Sequence, residues 1–136
     1  MDTYFDLGGH RFPVTTQSTE AQTWFDRGLL WTYGYNHEEA VTCFERAIGA
    51  DPKCAMAHWG AGYAAGPNYN MPWKLFDYAG RAAAARDGYT HARKALDLIE
   101  GVMGWEAAMI QALPARYAQP DPLDPEAMKA LSLIHI

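Results

Sequence analysis

The chain has 136 residues, of which 49% are hydrophobic, and a formal net charge of -5, which suits one modest core. No basic cluster offsets the negative charge, so the composition excludes a protein that binds nucleic acid through its phosphates. The N-terminal residues contain no apolar run of the kind found in a secretory leader or a spanning helix, so we expect a cytoplasmic protein without membrane association.

The composition predicts an all-α fold. Alanine and glycine are abundant, tryptophan and tyrosine are frequent, and β-branched residues are sparse, which favours closely packed helices over a sheet. The two cysteines, Cys43 and Cys54, are expected to be small buried side chains, because disulfides are rare in a reducing compartment.

An extended arm and two helices are predicted in the first third of the chain. Residues 1–17 mix glycine and proline with no helical period, so we expect them to lie extended over the first helices. Thr19 has a glutamine three residues later, which is the spacing of a capping box, and it opens a helix over 19–33. Asn36 caps a second helix over 36–49 after a short turn.

Proline and glycine mark the later helix boundaries. Asp51 before Pro52 predicts the start of a third helix over 52–65, because proline is tolerated at the first helical position. Gly66 and Pro67 end that helix, since proline disfavours helical geometry in the residue before it. The remaining predicted segments are a loop over 66–73, a helix over 77–100, a fifth helix over 105–117 and a sixth that begins at Asp124.

These segments divide the chain into an arm over 1–17, an incomplete helical repeat domain over 18–130 and a tail over 131–136. The tail, LSLIHI, continues no pattern and resembles the translation of a sequencing adapter, which indicates an artefact on a truncated gene. The other interpretation is a genuine apolar tail.

One stretch has the residue spacing of a tetratricopeptide repeat (TPR), whose period is about 34 residues. Gly28 and Ala40 are small where two antiparallel helices of such a repeat cross closely, and aromatic residues fill the space beside the crossing. Arg27 and His37 depart from the pattern. The residues that match it are Trp24, Gly28, Trp31, Ala40, Phe44, Ala47 and Pro52.

A second repeat begins at Ala55, and Gly62 stands one period after Gly28. Its second helix is delayed by an insertion of roughly ten residues relative to the repeat period. Two registers fit that helix, one with Ala85, Tyr89 and Ala92 and the other with Ala92, Leu96 and Ile99.

A longer run resembles a known family. The segments TWFDRGLLWTYGYNHEEAVTCFERAIGADPKCAMAHWGAGYAAGPNYNMPW and AAMIQALPARY are similar to the opening of long TPR-domain proteins known from bacteria and fungi. The resemblance implies an α-α superhelix of antiparallel TPR helix hairpins, truncated at its C-terminus, of which this chain is the start. The family has no established reaction to carry over, so the resemblance implies a non-catalytic scaffold that binds proteins.

The first helices of TPR hairpins line a concave face, so we expect an aromatic groove there that binds a protein or peptide partner. The alternative is that the arm or following repeats cover these rings. Phe25 and Leu29 stand where the chaperone-tail class of TPR domains has lysine and asparagine, which argues against that partner class. The expected groove residues are Gln22, Phe25, Asp26, Leu29, Tyr33, Met56, Trp59 and Tyr63.

A loop and four scattered side chains are the other candidate sites. Asn68, Tyr69 and Asn70 either form a polar binding site or satisfy the backbone of their own loop. We expect no metal and no other cofactor, because the spacing of the available ligands does not suit zinc. Those ligands are His37, Cys43, Cys54 and His58.

Two functions from different classes fit the sequence. The first is the non-catalytic scaffold, which has no catalytic residue of its own. The second is an N-terminal helical module of a larger ligand-binding or hydrolase-like enzyme, whose site would lie beyond this chain. A complete reading frame would distinguish uninterrupted repeats from a further domain.

Overall fold

The computed structural model of the protein describes residues 4–68 and 71–117. Within these ranges the chain is helical, as its composition predicts, and it contains a single isolated β-bridge. None of the helices described is both long and apolar enough to cross a membrane. The helices are α1 (Thr19–Tyr33), α2 (His37–Ala50), α3 (Ala55–Ala65), α4 (Tyr78–Asp97) and α5 (Gly104–Ala112), with 3-10 turns over Trp73–Leu75 and Leu113–Arg116.

The first two helices have the predicted bounds to within one residue. The α1 cap differs, because Ser18 and not Thr19 accepts a hydrogen bond from the backbone N–H of Ala21 at 3.0 Å. Asn36 caps α2 as predicted, since its side chain accepts from the N–H of Glu39 at 3.2 Å. A short turn joins the two helices, so they run in opposite directions.

The predicted start of the third helix at Pro52 is wrong, because α3 begins three residues later, at Ala55. The Asp51 carboxylate does not cap a helix. It accepts hydrogen bonds from the Thr16 hydroxyl at 2.5 Å and from the N–H of Lys53 at 3.1 Å. The Asp51 carboxylate, which the local sequence predicts as a helix cap, therefore binds the arm instead.

The last two helices are shorter than predicted. The helix predicted over 77–100 begins at Tyr78, with Asp77 as its cap, and ends at Asp97. The segment predicted as a helix over 105–117 divides into α5 and the 3-10 turn that contains Pro114. The predicted sixth helix from Asp124 and the tail over 131–136 lie outside the described residues.

Each helix packs against the next one along the chain, and alternate helices also meet. Thus α1 contacts α3, and α3 contacts α5. This arrangement places α3 at the centre of the molecule. Consistent with that position, nine of its eleven residues are buried.

A phenylalanine ring organises the centre of the core. Phe44 of α2 is buried between glycines of the two neighbouring helices, Gly28 of α1 and Gly60 of α3. A Cβ atom added to Gly28 would lie 2.7 Å from the Phe44 ring, which is closer than carbon atoms approach. The small residue at Gly28 therefore makes room for the Phe44 ring, while the predicted pairing of Gly28 with Ala40 stays a prediction.

The buried ring of Tyr117 packs the last described residue against the core. The hydroxyl of Tyr117 donates to the backbone carbonyl of Gly62 at 2.9 Å. The ring fills the space left by Gly66 and Gly88, where no side chain would fit. Burial raises the pKa of Tyr117 to about 12, so this hydroxyl stays a donor at neutral pH.

Candidate functional site

A groove of about 400 Å³ opens between α1, the start of α2, α3 and α5. We call it the aromatic groove, because four of its residues are tyrosine or tryptophan. Among the residues described by the structure, its lining contains no aspartate, glutamate or lysine. The lining residues are Leu29, Thr32, Tyr33, Tyr35, His37, Phe44, Trp59, Tyr63, Asn68 and Met109.

Helical spacing builds two walls of the aromatic groove. Leu29 and Tyr33 are four residues apart on α1, and Trp59 and Tyr63 are four apart on α3, so each pair shares one helix face. The rings of Trp59 and Tyr63 stack with their centroids 5.2 Å apart and their planes at 16°. The indole N–H of Trp59 donates to the carbonyl of Met109 at 3.1 Å, which ties this wall to α5.

Two exposed tyrosines stand at the mouth of the aromatic groove. Tyr33 is 71% exposed and Tyr35 is 58% exposed. Tyr35 has a φ of 61°, the left-handed region that a bulky residue rarely adopts. The N–H of the next residue, Asn36, donates to the carbonyl of Trp31 at 2.9 Å and closes the turn. The turn thus holds an aromatic ring in solvent at some cost in backbone energy.

A buried arginine lies behind the Tyr63 wall. Arg116 is only 6% exposed, and its guanidinium carbon is 5.0 Å from the centroid of the Tyr63 ring. Its Nη2 atom donates to the carbonyl of Pro67 at 2.7 Å. Within the described chain its Nε atom has no hydrogen-bond partner. Burial lowers the pKa of His37, and electrostatic repulsion from the positive charge of Arg116 lowers it further.

The aromatic groove contains some of the residues predicted for the TPR groove and one residue predicted for the loop site. The predicted residues that line it are Leu29, Tyr33, Trp59, Tyr63 and Asn68. Phe25 and Met56 are each 1% exposed and lie in the core, where a ligand does not reach them. Gln22 and Asp26 bind the arm instead.

The arm occupies the α1 surface that precedes the aromatic groove. Gln22 accepts from the N–H of Val14 at 3.0 Å and donates to the carbonyl of Phe12 at 2.8 Å. Asp26 accepts from the N–H of Phe12 at 2.9 Å. Side chains of α1 therefore bind the arm through its main chain, and the arm covers this half of the predicted groove.

The arm also reaches α5 through a carboxylate that the sequence reasoning did not single out. Glu106 is fully buried and accepts from both the N–H and the hydroxyl of Thr15, at 3.0 and 2.5 Å. It also accepts from the N–H of Met103 at 2.9 Å, as the acid of a capping box does. The sequence shows Glu106 only as an acid in the first turn of a helix. Nothing in that local pattern indicates that it binds the arm.

The 66–73 loop contributes one residue to the aromatic groove. The Asn68 side chain accepts from the N–H of Met71 at 3.1 Å, and the two backbones form an isolated bridge. Asn68 thus satisfies its own loop, as one of the two sequence alternatives expects, and it also lines the groove. Tyr69 and Asn70 lie outside the described residues.

The cysteines and histidines considered as zinc ligands are spread over α2 and the start of α3. Cys43 is 3.1 Å from the hydroxyl of Tyr4, and His58 faces His91 with ring centroids 6.0 Å apart. Both cysteines are buried and free, and burial raises the pKa of each thiol. In the described ranges no three histidine, cysteine, aspartate or glutamate side chains come close enough to hold a metal ion.

The aromatic groove offers flat ring faces, methionine and leucine side chains, and an amide. Such a lining suits contact with apolar and aromatic groups, and the hydroxyl and amide groups can orient them. The chain matches no protein-family model, no curated protein and no solved structure.

Proposed function

We propose that the protein is a TPR-like helical scaffold that binds a peptide segment of a protein partner in the aromatic groove. Two observations support the architecture. The first repeat of the sequence has the TPR spacing, with Gly28 in close approach to the next helix. Alternate helices are also in contact, α1 with α3 and α3 with α5, as the first helices of stacked hairpins are.

The observation that carries the proposal is the pair of exposed rings beside a preformed cavity. Tyr33 and Tyr35 lose little conformational entropy when a ligand covers them, because a tyrosine has only two rotatable side-chain bonds. Trp59 and Tyr63 already form a rigid stack, held by a hydrogen bond to α5. A partner therefore meets an ordered surface, which lowers the cost of binding.

The test is selection of random dodecapeptides displayed on phage against the immobilised protein. We expect enriched peptides whose affinity falls about tenfold or more, roughly 1.4 kcal/mol, in Tyr33→Ala, since that ring lies at the groove mouth. Tyr78→Ala is the matched control, because Tyr78 is also 71% exposed but lies on α4, outside the groove lining. Equal losses in both variants, or no enriched peptide, would contradict the proposal.

A further inference from the structure

We infer that the peptide bound in the aromatic groove carries a carboxylate, which meets Arg116 at the end of the groove where Tyr63, His37 and Asn68 lie. This inference rests on the proposed function, because it concerns the ligand of the same groove. It adds a chemical class to that ligand: an acidic segment and not merely an apolar one.

The first step of the argument is the unsatisfied state of Arg116. A guanidinium has five N–H donors, yet this one makes a single hydrogen bond, to Pro67, and leaves Nε without a partner among the described residues. No carboxylate of the described chain pairs with it. A buried charge without an opposite charge is costly, so an external carboxylate that pairs with it would gain more than at a solvated site.

The second step is the position of Arg116 relative to the groove. Its guanidinium lies against the ring of Tyr63, and Tyr63 lines the groove. The carbonyl that accepts from Arg116 belongs to Pro67, the neighbour of Asn68, which also lines the groove. Arg116 thus lies directly behind this part of the groove wall, with its Nε buried. A ligand carboxylate that displaces the edge of Tyr63 beside Asn68 would come within reach of this guanidinium.

The third step is charge complementarity. His37 is the first residue of α2, so the positive end of the helix dipole faces this end of the groove. The nearby acids Glu38 and Asp87 line a different cavity, which shares only His37 and Asn68 with the groove. Because the lowered pKa of His37 keeps its ring neutral at pH 7, Arg116 supplies the full positive charge.

The test uses four synthetic peptides and ¹⁵N-labelled protein. The probes are acetyl-Leu-Glu-Tyr-Glu-Leu-amide, its glutamine counterpart, its lysine counterpart and the glutamine peptide with a free C-terminal carboxylate. The indole N–H resonance of Trp59 reports occupancy of the groove, and the Nε–H resonance of Arg116 reports the carboxylate. The glutamine peptide with a free carboxylate distinguishes a terminal from a side-chain carboxylate.

We expect the glutamate peptide to bind at least fivefold more tightly than the glutamine amide and to shift the Arg116 Nε–H, while the glutamine amide shifts Trp59 alone. Arg116→Gln should abolish that preference. Arg93→Gln, which removes the same charge from an exposed position on α4, should keep it. If Arg116→Gln does not fold, the resonance of Arg116 in the unaltered protein still decides the matter.

The outcomes separate the two proposals. Equal affinities for the glutamate and glutamine peptides, both shifting Trp59, would overturn the acidic ligand and leave peptide binding standing. Tightest binding by the lysine peptide would overturn it as well. If no peptide shifts Trp59 and the phage selection also yields none, both the groove function and its acidic ligand fail.

Discussion

At the scale of single residues, close contacts between glycines and aromatic rings set the spacing of the helices. A Cβ atom added to Gly60 would lie 2.5 Å from the Phe44 ring, which is buried and already in close contact with Gly28 on its other side. Gly60→Ala gains helix propensity but forces overpacking, so we expect a net loss of about 1–2 kcal/mol in unfolding free energy. Urea denaturation followed by circular dichroism measures this change.

Gly49→Ala is the control for that substitution. Gly49 also lies in a helix, but no atom stands within 4 Å of the position of its missing Cβ. We expect this variant to gain about 0.4–1 kcal/mol, because alanine restricts the unfolded chain without crowding the folded one. If both variants change stability in the same direction, the packing of Phe44 does not determine the helix spacing.

One buried histidine, His58, and two partly buried ones, His37 and His91, make stability depend on pH. Burial lowers the pKa of His37, His58 and His91 below the ordinary value of 6.5, and neighbouring positive charges such as Lys94 lower it further. Asp51 and Asp87 oppose the shifts of His58 and His91 but do not outweigh them. As the pH falls below 6.5 the unfolded chain takes up protons that the folded chain resists, so the unfolding free energy should decrease.

Urea titrations at pH 7.5 and pH 5.5 measure this decrease. His91→Gln removes one of the two facing rings, so we expect a smaller difference between the two pH values in this variant. His10→Gln, in an exposed part of the arm, is the control and should keep the full difference. A protein that is equally stable at both pH values would show that these histidines do not stay neutral in the fold.

At the scale of elements, the buried carboxylate of Glu106 joins the arm to α5 through hydrogen bonds. In Glu106→Gln an amide N–H replaces one of the oxygens that accept from Thr15 and Met103. Because hydrogen bonds to a charged group contribute about 1.5–3 kcal/mol, we expect a loss of that size and faster proteolysis within the arm. Glu45→Gln, exposed on α2, should change neither quantity. Unchanged proteolysis in Glu106→Gln would show that other contacts hold the arm.

Local signals predicted most of the helices and failed where distant segments intervene. The α1 bounds follow from a helical period contained in the segment itself, although the cap is Ser18 and not the predicted Thr19. The start of α3 does not follow from a local signal, because the Asp51 carboxylate is bound by Thr16, which lies 35 residues away. No pattern within the segment indicates such a contact.

At the scale of the whole molecule, the groove was predicted only in part, because some of its lining residues are brought there by contacts between distant segments. The expected concave face of the first TPR helices included four residues that line the groove, namely Leu29, Tyr33, Trp59 and Tyr63. It also included Gln22, Phe25, Asp26 and Met56, which bind the arm or lie in the core. The other lining residues enter through the left-handed turn at Tyr35, the start of α2, and the packing of α5. These positions depend on how helices are arranged in space, which a single sequence does not encode locally.

The contact between Thr15 and Glu106 joins parts of the chain that are 91 residues apart. Neighbouring helices can form and pair early in folding, since each closes only a short loop, whereas this contact must wait until α5 is in place. We therefore expect Thr15 to dock on α5 after Phe12 and Val14 have bound α1, because those contacts span only 8–14 residues. We also expect the arm to detach locally before the protein unfolds as a whole. Because the arm covers α1 beside the aromatic groove, such partial opening would lengthen the surface open to a partner while the helices remain folded.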